Sequence, residues 1–531
     1  MNSKVVTRRF IAILLMLSLV LSLTLLSTAQ DESVLVIGHA EATDFLDPHR
    51  GFTQTTSIVR RVTYDTLVTF PDEDASAVQP LLATSWEVSE DGLEYTFTLR
   101  DDVTFVSGNA LTPDDVVFSI KRLQNVLGNP AFLADNIADV VANEDGTVTF
   151  TLASPRPSFL SELSNTAFSI VDSAVVMQNG GSAAEDAAEA DTANVYLDST
   201  SAGSGPYILE SWEPQVETIM VKNPNYWGEE PYFDRVIIIN IPEAATQKLA
   251  LEAGDIDMAL ELTRDQTADM MDNENITIFS GPSVYTHFLL MNQDSEIGGI
   301  VSDPTVQLAI RYALDYEGYK TLWGGVVPAT NLTVGLAGAY GEDEAFVRDL
   351  DRSRELLAEA GYPDGFDITL SYPDFTWQGV DMNTNAQKIQ ADLAEVGINV
   401  TLQPGELQVS LEEYRNGDQG FAYWFWGPDV LDPVDVLSFL PGGKVGTERT
   451  NWLPENADPE LVALIDAAAS ETDPEARLEL FGQLQDALQE SGPFAPFNNP
   501  SVQTAVLSDI EGYIYHPQWT MDVSLLSRSE G

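Results

Sequence analysis

No cysteine occurs anywhere in this chain of 531 residues. That absence excludes disulfides, thiolate nucleophiles and the acylated cysteine of a lipoprotein. Histidine is almost as scarce: His39, His49, His287 and His516 are scattered, with no HExxH and no i, i+4 pair, so neither a zinc centre nor histidine-based catalysis is expected. Basic residues are few as well, 25 Lys and Arg against 83 Asp and Glu, for a formal net charge of −58. Nucleic acid is excluded as a partner, because binding it requires basic surface that releases counterions. The excess of carboxylates reads as a strongly solvated surface suited to a salty medium. A calcium role is the alternative, but no stretch has EF-hand spacing.

What is present begins with an address. Lys4, Arg8 and Arg9 precede the apolar run "FIAILLMLSLVLSLTLL", and "STAQ" places small residues at Ser27 and Ala29. This reads as a secretory signal peptide over 1–29, cut before Gln30. The run from Phe10 to Leu26 is nearly long enough to span a bilayer, so a retained anchor is the alternative. No other apolar stretch approaches that length, and the exported chain is expected to lie in a periplasm or cell-envelope space as a soluble monomer. Removing the leader removes three basic residues and no acidic one, which leaves the remainder more negative still.

Along the chain, "SVLVIGHA" reads as a strand and "LEYTFTLRDDVTF" as a half-buried antiparallel strand with period two. "LTPDDVVFSIKRL" is a marked helix start, with Thr112 as cap, Pro113 at the first helical position and Asp115 reaching back; Val116, Val117, Ile120 and Leu123 would share its buried face. The stretch Gln178 to Asn194 is small and acidic and reads as an exposed loop or poorly ordered helix. "DRVIIINIP" reads as a buried strand. Later, "RSRELLAEAGYPDGFDITLSYP" and "NAQKIQADLAEVGINVTLQP" each read as a helix stopped by a glycine, Gly361 or Gly397, and followed by a strand. Such units predict an α/β fold, and no fixed-period repeat is visible.

One short stretch concentrates candidate chemistry: "FAYWFWGPDVLDP", Phe421 to Pro433. A strand alternates its faces, so if Trp426 faces a ligand Trp424 does too, and Tyr423 and Phe425 pack behind. Equally, all four aromatics could be core. Asp429 could contact a ligand or cap the turn before Pro433, and Asp432 is expected to hold that turn.

Several blocks together resemble the family 5 extracellular solute-binding proteins, the dipeptide, oligopeptide and nickel receptors of ABC importers. They are "ATSWEVSEDGLEYTFTLRDDVTF", "ALTPDDVVFSIKRL", "GSGPYILESWEPQVETIMVKNPNYWG", "EAATQKLALEAGDIDMA", "VQLAIRYALDYEGY" and "LLAEAGYPDGFDITL", in the family's order over nearly the whole exported chain. The resemblance implies an α/β two-lobed periplasmic binding protein fold of the large, three-domain class II type, with a ligand cleft between lobes joined by a two-segment hinge. Domain I would comprise 30–66, 201–284 and 493–531, domain II 67–200, and domain III 285–492, with crossings near "THFLLMNQ" and "SGPFAPFNNP". The family's disulfides and lipoprotein cysteine have no counterpart here. "WGPDVLDP" is similar to the segment whose aspartate, in peptide-binding members, pairs with the ligand's α-amino group, a role that would fall on Asp429. Weaker ligand-contact candidates are Trp426 and Trp424, Thr43 to Phe45 near the start of the exported chain, and Asn292 on the hinge strand.

The expected function is therefore capture of di- or oligopeptides by lobe closure and delivery to a membrane permease powered by a separate ATPase, with no enzymatic activity and no cofactor. An oligosaccharide or nickel-chelate receptor is the alternative within the family. A secreted carboxylate-dependent hydrolase needs only two suitable carboxylates; among 83 acidic residues such a pair carries little information. A sensory or adhesive surface protein is the remaining alternative.

Overall fold

A computed structural model describes residues 32–529 except 42, 76, 328–345, 378 and 490. The leader at 1–29 lies outside these residues. No helix among the described residues is long and apolar enough to cross a membrane.

Three sheets organise the chain. A seven-stranded sheet has the order Ile276–Pro282, Ser501–Leu507, Met258–Ala259, Val34–His39, Arg235–Asn240, Glu217–Lys222, Tyr207–Glu213. Its centre is parallel, Val34–His39 running beside Arg235–Asn240, and its margins are antiparallel. In Arg235–Asn240 only alternate residues, Val236 and Ile238, are fully buried, so it is a half-buried strand; the continuous apolar run had suggested burial on both faces. A four-stranded antiparallel sheet, Ala83–Val88, Glu94–Leu99, Thr147–Leu152 and Ile137–Ala142, shares this first lobe. Tyr95 and Phe97 alternate inward from it as the period-two pattern predicts.

The helix Pro113–Asn125 covers that smaller sheet. Its start matches the sequence reading: the Thr112 N–H donates to Asp115 Oδ2 at 2.9 Å, and Val116, Ile120 and Leu123 are buried, while Val117, expected on the same face, is half-buried. From its far end the fully buried Arg122 reaches Asp47 Oδ2 at 2.6 Å and Asp191 Oδ2 at 2.8 Å. Two carboxylates and one guanidinium, all removed from water, offset one another's desolvation through several charged hydrogen bonds. Asp191 belongs to the acidic stretch at 178–194, so the reading of that stretch as loose is corrected. It contains the short helix Ala187–Ala190 with Ala187 buried, and Asp191 ties it to the lobe through both Arg122 and Arg50.

The second lobe is built on a five-stranded sheet in the order Ile398–Gly405, Phe366–Pro373, Phe421–Trp426, Thr286–Met291, Phe494–Asn498. Helices Leu350–Glu359 and Met382–Ala394 precede its two parallel strands, as their periodicity predicts, and Gly361 and Gly397 stop them at φ of 92° and 88°. Thr286–Met291 and Phe494–Asn498 both lie wholly within this sheet. The chain passes between lobes just outside them, at Ser283 to Tyr285 and at Asn499 to Pro500. These two crossings bond to each other: Ser283 Oγ donates to the Pro500 carbonyl at 2.7 Å, and Asn499 Nδ2 donates to the Tyr285 carbonyl at 2.9 Å.

Candidate functional site

The loop after Phe421–Trp426 leaves the second lobe and enters the first. Val430 packs into the core of the four-stranded sheet, Leu431 packs with Phe70 and Trp519, and the Asp429 carbonyl accepts Asn165 Nδ2 at 3.0 Å. Asp432 anchors the loop's far end. Its carboxylate accepts the Val434 N–H at 2.8 Å and is gripped by the Arg477 guanidinium, the turn-holding role expected of it.

Asp429 therefore sits at the seam of the lobes. Among the described residues no Lys or Arg stands within 4.0 Å of its carboxylate. Burial pushes its acid up to about 7, with Arg449 and then Lys444 opposing the shift from a distance. Beside it Asp435 is fully enclosed: it accepts the Asp429 N–H at 3.1 Å and the Trp426 indole N–H at 3.1 Å, and burial together with the Asp429 charge pushes it well above the ordinary range. A pair of carboxylates this poorly neutralised has a standing deficit of positive charge.

A cavity of about 380 Å³ opens on this pair. Asp429, Asp435 and Lys444 line it from the second lobe, and Arg156 and Glu162 line it from the first. A neighbouring cavity of about 450 Å³ shares the Pro155–Arg156 wall and continues past Tyr95 to Asp432 and Arg477. The space between the lobes thus sets Asp429 and Lys444 opposite Arg156, which is itself paired with Glu162 at 3.2 Å.

On the other side of the loop lies Tyr285, at the crossing between lobes. Its ring stands so close to Gly427 that a β-carbon there would meet it at 2.1 Å, which accounts for the glycine. Trp377 packs edge-on to Tyr285 at 4.3 Å and stacks on Phe425 at 4.4 Å. Burial holds the Tyr285 hydroxyl well above its ordinary range, with Tyr515 and then the acids Glu41, Glu261 and Asp429 adding to the shift.

Placement of the remaining sequence candidates follows from these contacts. Trp424 is buried in the core of the second lobe, stacked on Tyr414 at 4.4 Å with its indole N–H bonded to Gln419. Trp426 is on the same face, half-buried against Phe439 and spent on Asp435. Phe425, which the alternation rule had placed behind the tryptophans, is the residue on the Trp377 and Tyr285 side. Asn292 is 0 % exposed, and its amide binds the Gly417 and Gln419 carbonyls at 3.0 and 3.2 Å. It braces a turn. Thr43 lines a small cavity with His39, Glu41 and Thr55, and Phe45 is 40 % exposed at the surface of the first lobe. Tyr285, Trp377, Arg156 and Glu261 were not singled out from the sequence, because their elements are brought together only by folding.

Comparisons with known proteins agree over nearly the whole chain. The family model described as "Bacterial extracellular solute-binding proteins, family 5 Middle" matches residues 77–447. A probable D,D-dipeptide-binding periplasmic protein of Escherichia coli (strain K12) is 27 % identical, covering 95 % of this chain and 96 % of that protein. Heme-binding protein A of Haemophilus influenzae is 28 % identical over 86 % of this chain and 84 % of its own. Among solved structures, an ABC transporter-associated periplasmic binding protein from Helicobacter pylori in complex with the peptide STSA superposes with a TM-score of 0.76 at 24 % identity, covering 95 % of this chain and all of that one.

Proposed function

This chain belongs to the family 5 bacterial extracellular solute-binding proteins, and on that basis we propose that it captures short peptides between its two lobes and hands them to the permease of an ABC importer driven by a separate ATPase. The observation that carries the peptide reading is Asp429: a poorly neutralised carboxylate at the lobe seam, with no Lys or Arg within 4.0 Å among the described residues. A peptide's α-ammonium supplies the missing cation, and Lys444 from the second lobe and Arg156 from the first, the latter shared with Glu162, offer its carboxylate a partner. Relatives named for dipeptides and a solved neighbour holding a peptide support the same class.

In this reading the ligand stabilises the closed arrangement because it touches both lobes. Asp429 is the ammonium acceptor. Trp426 shapes its surroundings, Thr43 and Phe45 belong to the first-lobe rim, and Trp424 and Asn292 support the fold. The domains divide as 30–66, 201–284 and 493–531 for the first, 67–200 for the second and 285–492 for the third. The protein is exported by its leader, stays in the periplasm or cell envelope without a lipid anchor, and acts as a monomer that binds and does not turn over its ligand.

Isothermal titration of free and Nα-acetylated dipeptides tests the reading. Free peptides should bind, acetylation should weaken binding at least tenfold, and Asp429→Ala should do the same for free peptides. Equal affinity for the two forms would remove Asp429 from this role. Native mass spectrometry of gently purified protein provides the wider check, since a co-purified oligosaccharide, metal chelate or heme and no peptide would overturn the substrate class.

A further inference from the structure

The first lobe carries a second cation-poor centre that the α-ammonium does not use. Glu261 is buried at the end of the short strand Met258–Ala259, where its Oε2 accepts the Ala40 N–H. Its nearest charged partner is His39 Nε2, 3.7 Å from Oε1 and so beyond hydrogen-bond reach. His39 Nδ1 accepts the Glu41 N–H at 3.1 Å, which places the ring's proton on the Nε2 side. Glu41 itself is tied down by the Thr55 N–H at 3.2 Å. Among the described residues neither carboxylate has a Lys or Arg within 4.0 Å.

A separate observation points to an occupant. A small, partly open cavity of about 10 Å³, the size of one water-sized sphere, has His39, Glu261, Gln503, Tyr515 and Thr520 among its lining residues. Thr520 is 7 % exposed, and its hydroxyl has no hydrogen-bond partner among the described residues. Gln503, by contrast, is fully engaged, accepting from Thr267 and donating to Ser280 and Ser501. Glu261, Thr520 and Tyr515 thus bring three oxygen-bearing side chains to the lining. A primary ammonium has three N–H donors and roughly the bulk of a water molecule, whereas a guanidinium is flat and too large.

We propose that this cavity receives a primary ammonium group on the ligand's side chain, so that the preferred ligands are peptides beginning with a lysine-type residue. The inference rests on the peptide reading, with the α-ammonium on Asp429; Tyr285, whose ring packs on Gly427 of the Asp429 loop, is near enough to both Glu261 and Asp429 to feel their charges.

The test compares Lys-Ala, Nε-acetyl-Lys-Ala and Ala-Ala by isothermal titration on the wild type and on Glu261→Gln. Lys-Ala should bind the wild type at least tenfold more tightly than either neutral peptide, and on Glu261→Gln the three peptides should bind alike. If all three peptides bind the wild type equally, the ammonium subsite is overturned and the peptide reading stands. If none binds, the peptide reading itself falls. The wild-type comparison is decisive alone should the variant fail to fold, and Glu41→Gln, which should narrow the preference without removing it, provides a second check.

Discussion

Asp435 accepts the backbone N–H of Asp429 on one carboxylate oxygen and the Trp426 indole on the other, so the buried acid positions its neighbour while adding to that neighbour's charge burden. The free protein holds two carboxylates at the seam where its lobes meet, and it holds them at a cost.

That cost has a definite pH dependence. The Asp429 acid rises from an ordinary 3.8 to about 7 in the folded chain, chiefly by burial. Between those values the folded state keeps a proton that the unfolded chain has released, so this group's contribution to stability declines as pH rises from about 4 to about 7 and is constant above that. Asp429→Asn should therefore leave stability unchanged near pH 4 and raise it at pH 7.5 by about 1–3 kcal/mol in urea unfolding of the ligand-free protein. A variant less stable than the wild type at pH 7.5 would contradict this account.

The same titration governs binding with the opposite outcome. A ligand ammonium needs the ionised form of Asp429, so affinity for a free dipeptide should increase as pH rises from 5 to about 7.5 and level off before the peptide's own amine loses its proton near pH 8. Titrations at fixed ionic strength measure it. A flat profile would mean that the peptide does not contact this carboxylate.

The two faces of Phe421–Trp426 should separate cleanly on mutation. Trp424→Phe removes part of a buried stack on Tyr414 and should lower the melting temperature with little change in Kd. Trp377→Ala opens the half-buried group around Tyr285 and Phe425, and should weaken peptide binding more than it weakens the fold. Reversed effects would return the tryptophans of this strand to the cleft.

This strand also marks how far the sequence could be read. The α/β units in the second half were legible because helical periodicity, a glycine stop and a short apolar strand coincide twice, at Gly361 and Gly397. Asp429 could be put forward as a candidate because a local motif carries it. Alternation showed that Trp424 and Tyr423 point oppositely, but this strand is internal to a sheet covered on both faces, so alternation could not say which face turns toward the first lobe. Glu261 and Arg156 were illegible for a different reason. In a chain so rich in carboxylates no single acid stands out until the fold removes its counter-charges, and Arg156 gains meaning only from the loop at 427–432 that arrives opposite it.

Arg122 should be among the least replaceable side chains outside the cleft. It joins the N-terminal segment at Asp47 to the acidic stretch at Asp191, and all three groups are buried. Arg122→Met removes the buried cation and leaves Asp47 and Asp191 with only the partly exposed Arg50, a loss of about 3–5 kcal/mol. Chemical unfolding should show it, with proteolysis beginning within 178–194 as that stretch loses its anchor. Wild-type resistance to proteolysis in the variant would mean that Arg50, the other cation on Asp191, holds the stretch alone.

The hinge makes the last prediction. Asn499 Nδ2 donates to the Tyr285 carbonyl at 2.9 Å and to Thr286 Oγ1 at 2.6 Å, while its backbone pairs in both directions with Val326. The side chain thus ties one crossing to the other, and the backbone bonds remain when it is removed. Asn499→Ala eliminates two buried hydrogen bonds, worth about 1–3 kcal/mol together, without unpairing the main chain. The lobes should then sample a wider range of separations. Distances between spin labels on the two lobes should broaden in the ligand-free variant and narrow again with saturating peptide, because a ligand that contacts both lobes restores what the hinge lost. An unchanged distribution in the free variant would place the restraint on closure elsewhere, in the loop that carries Asp429 into the first lobe.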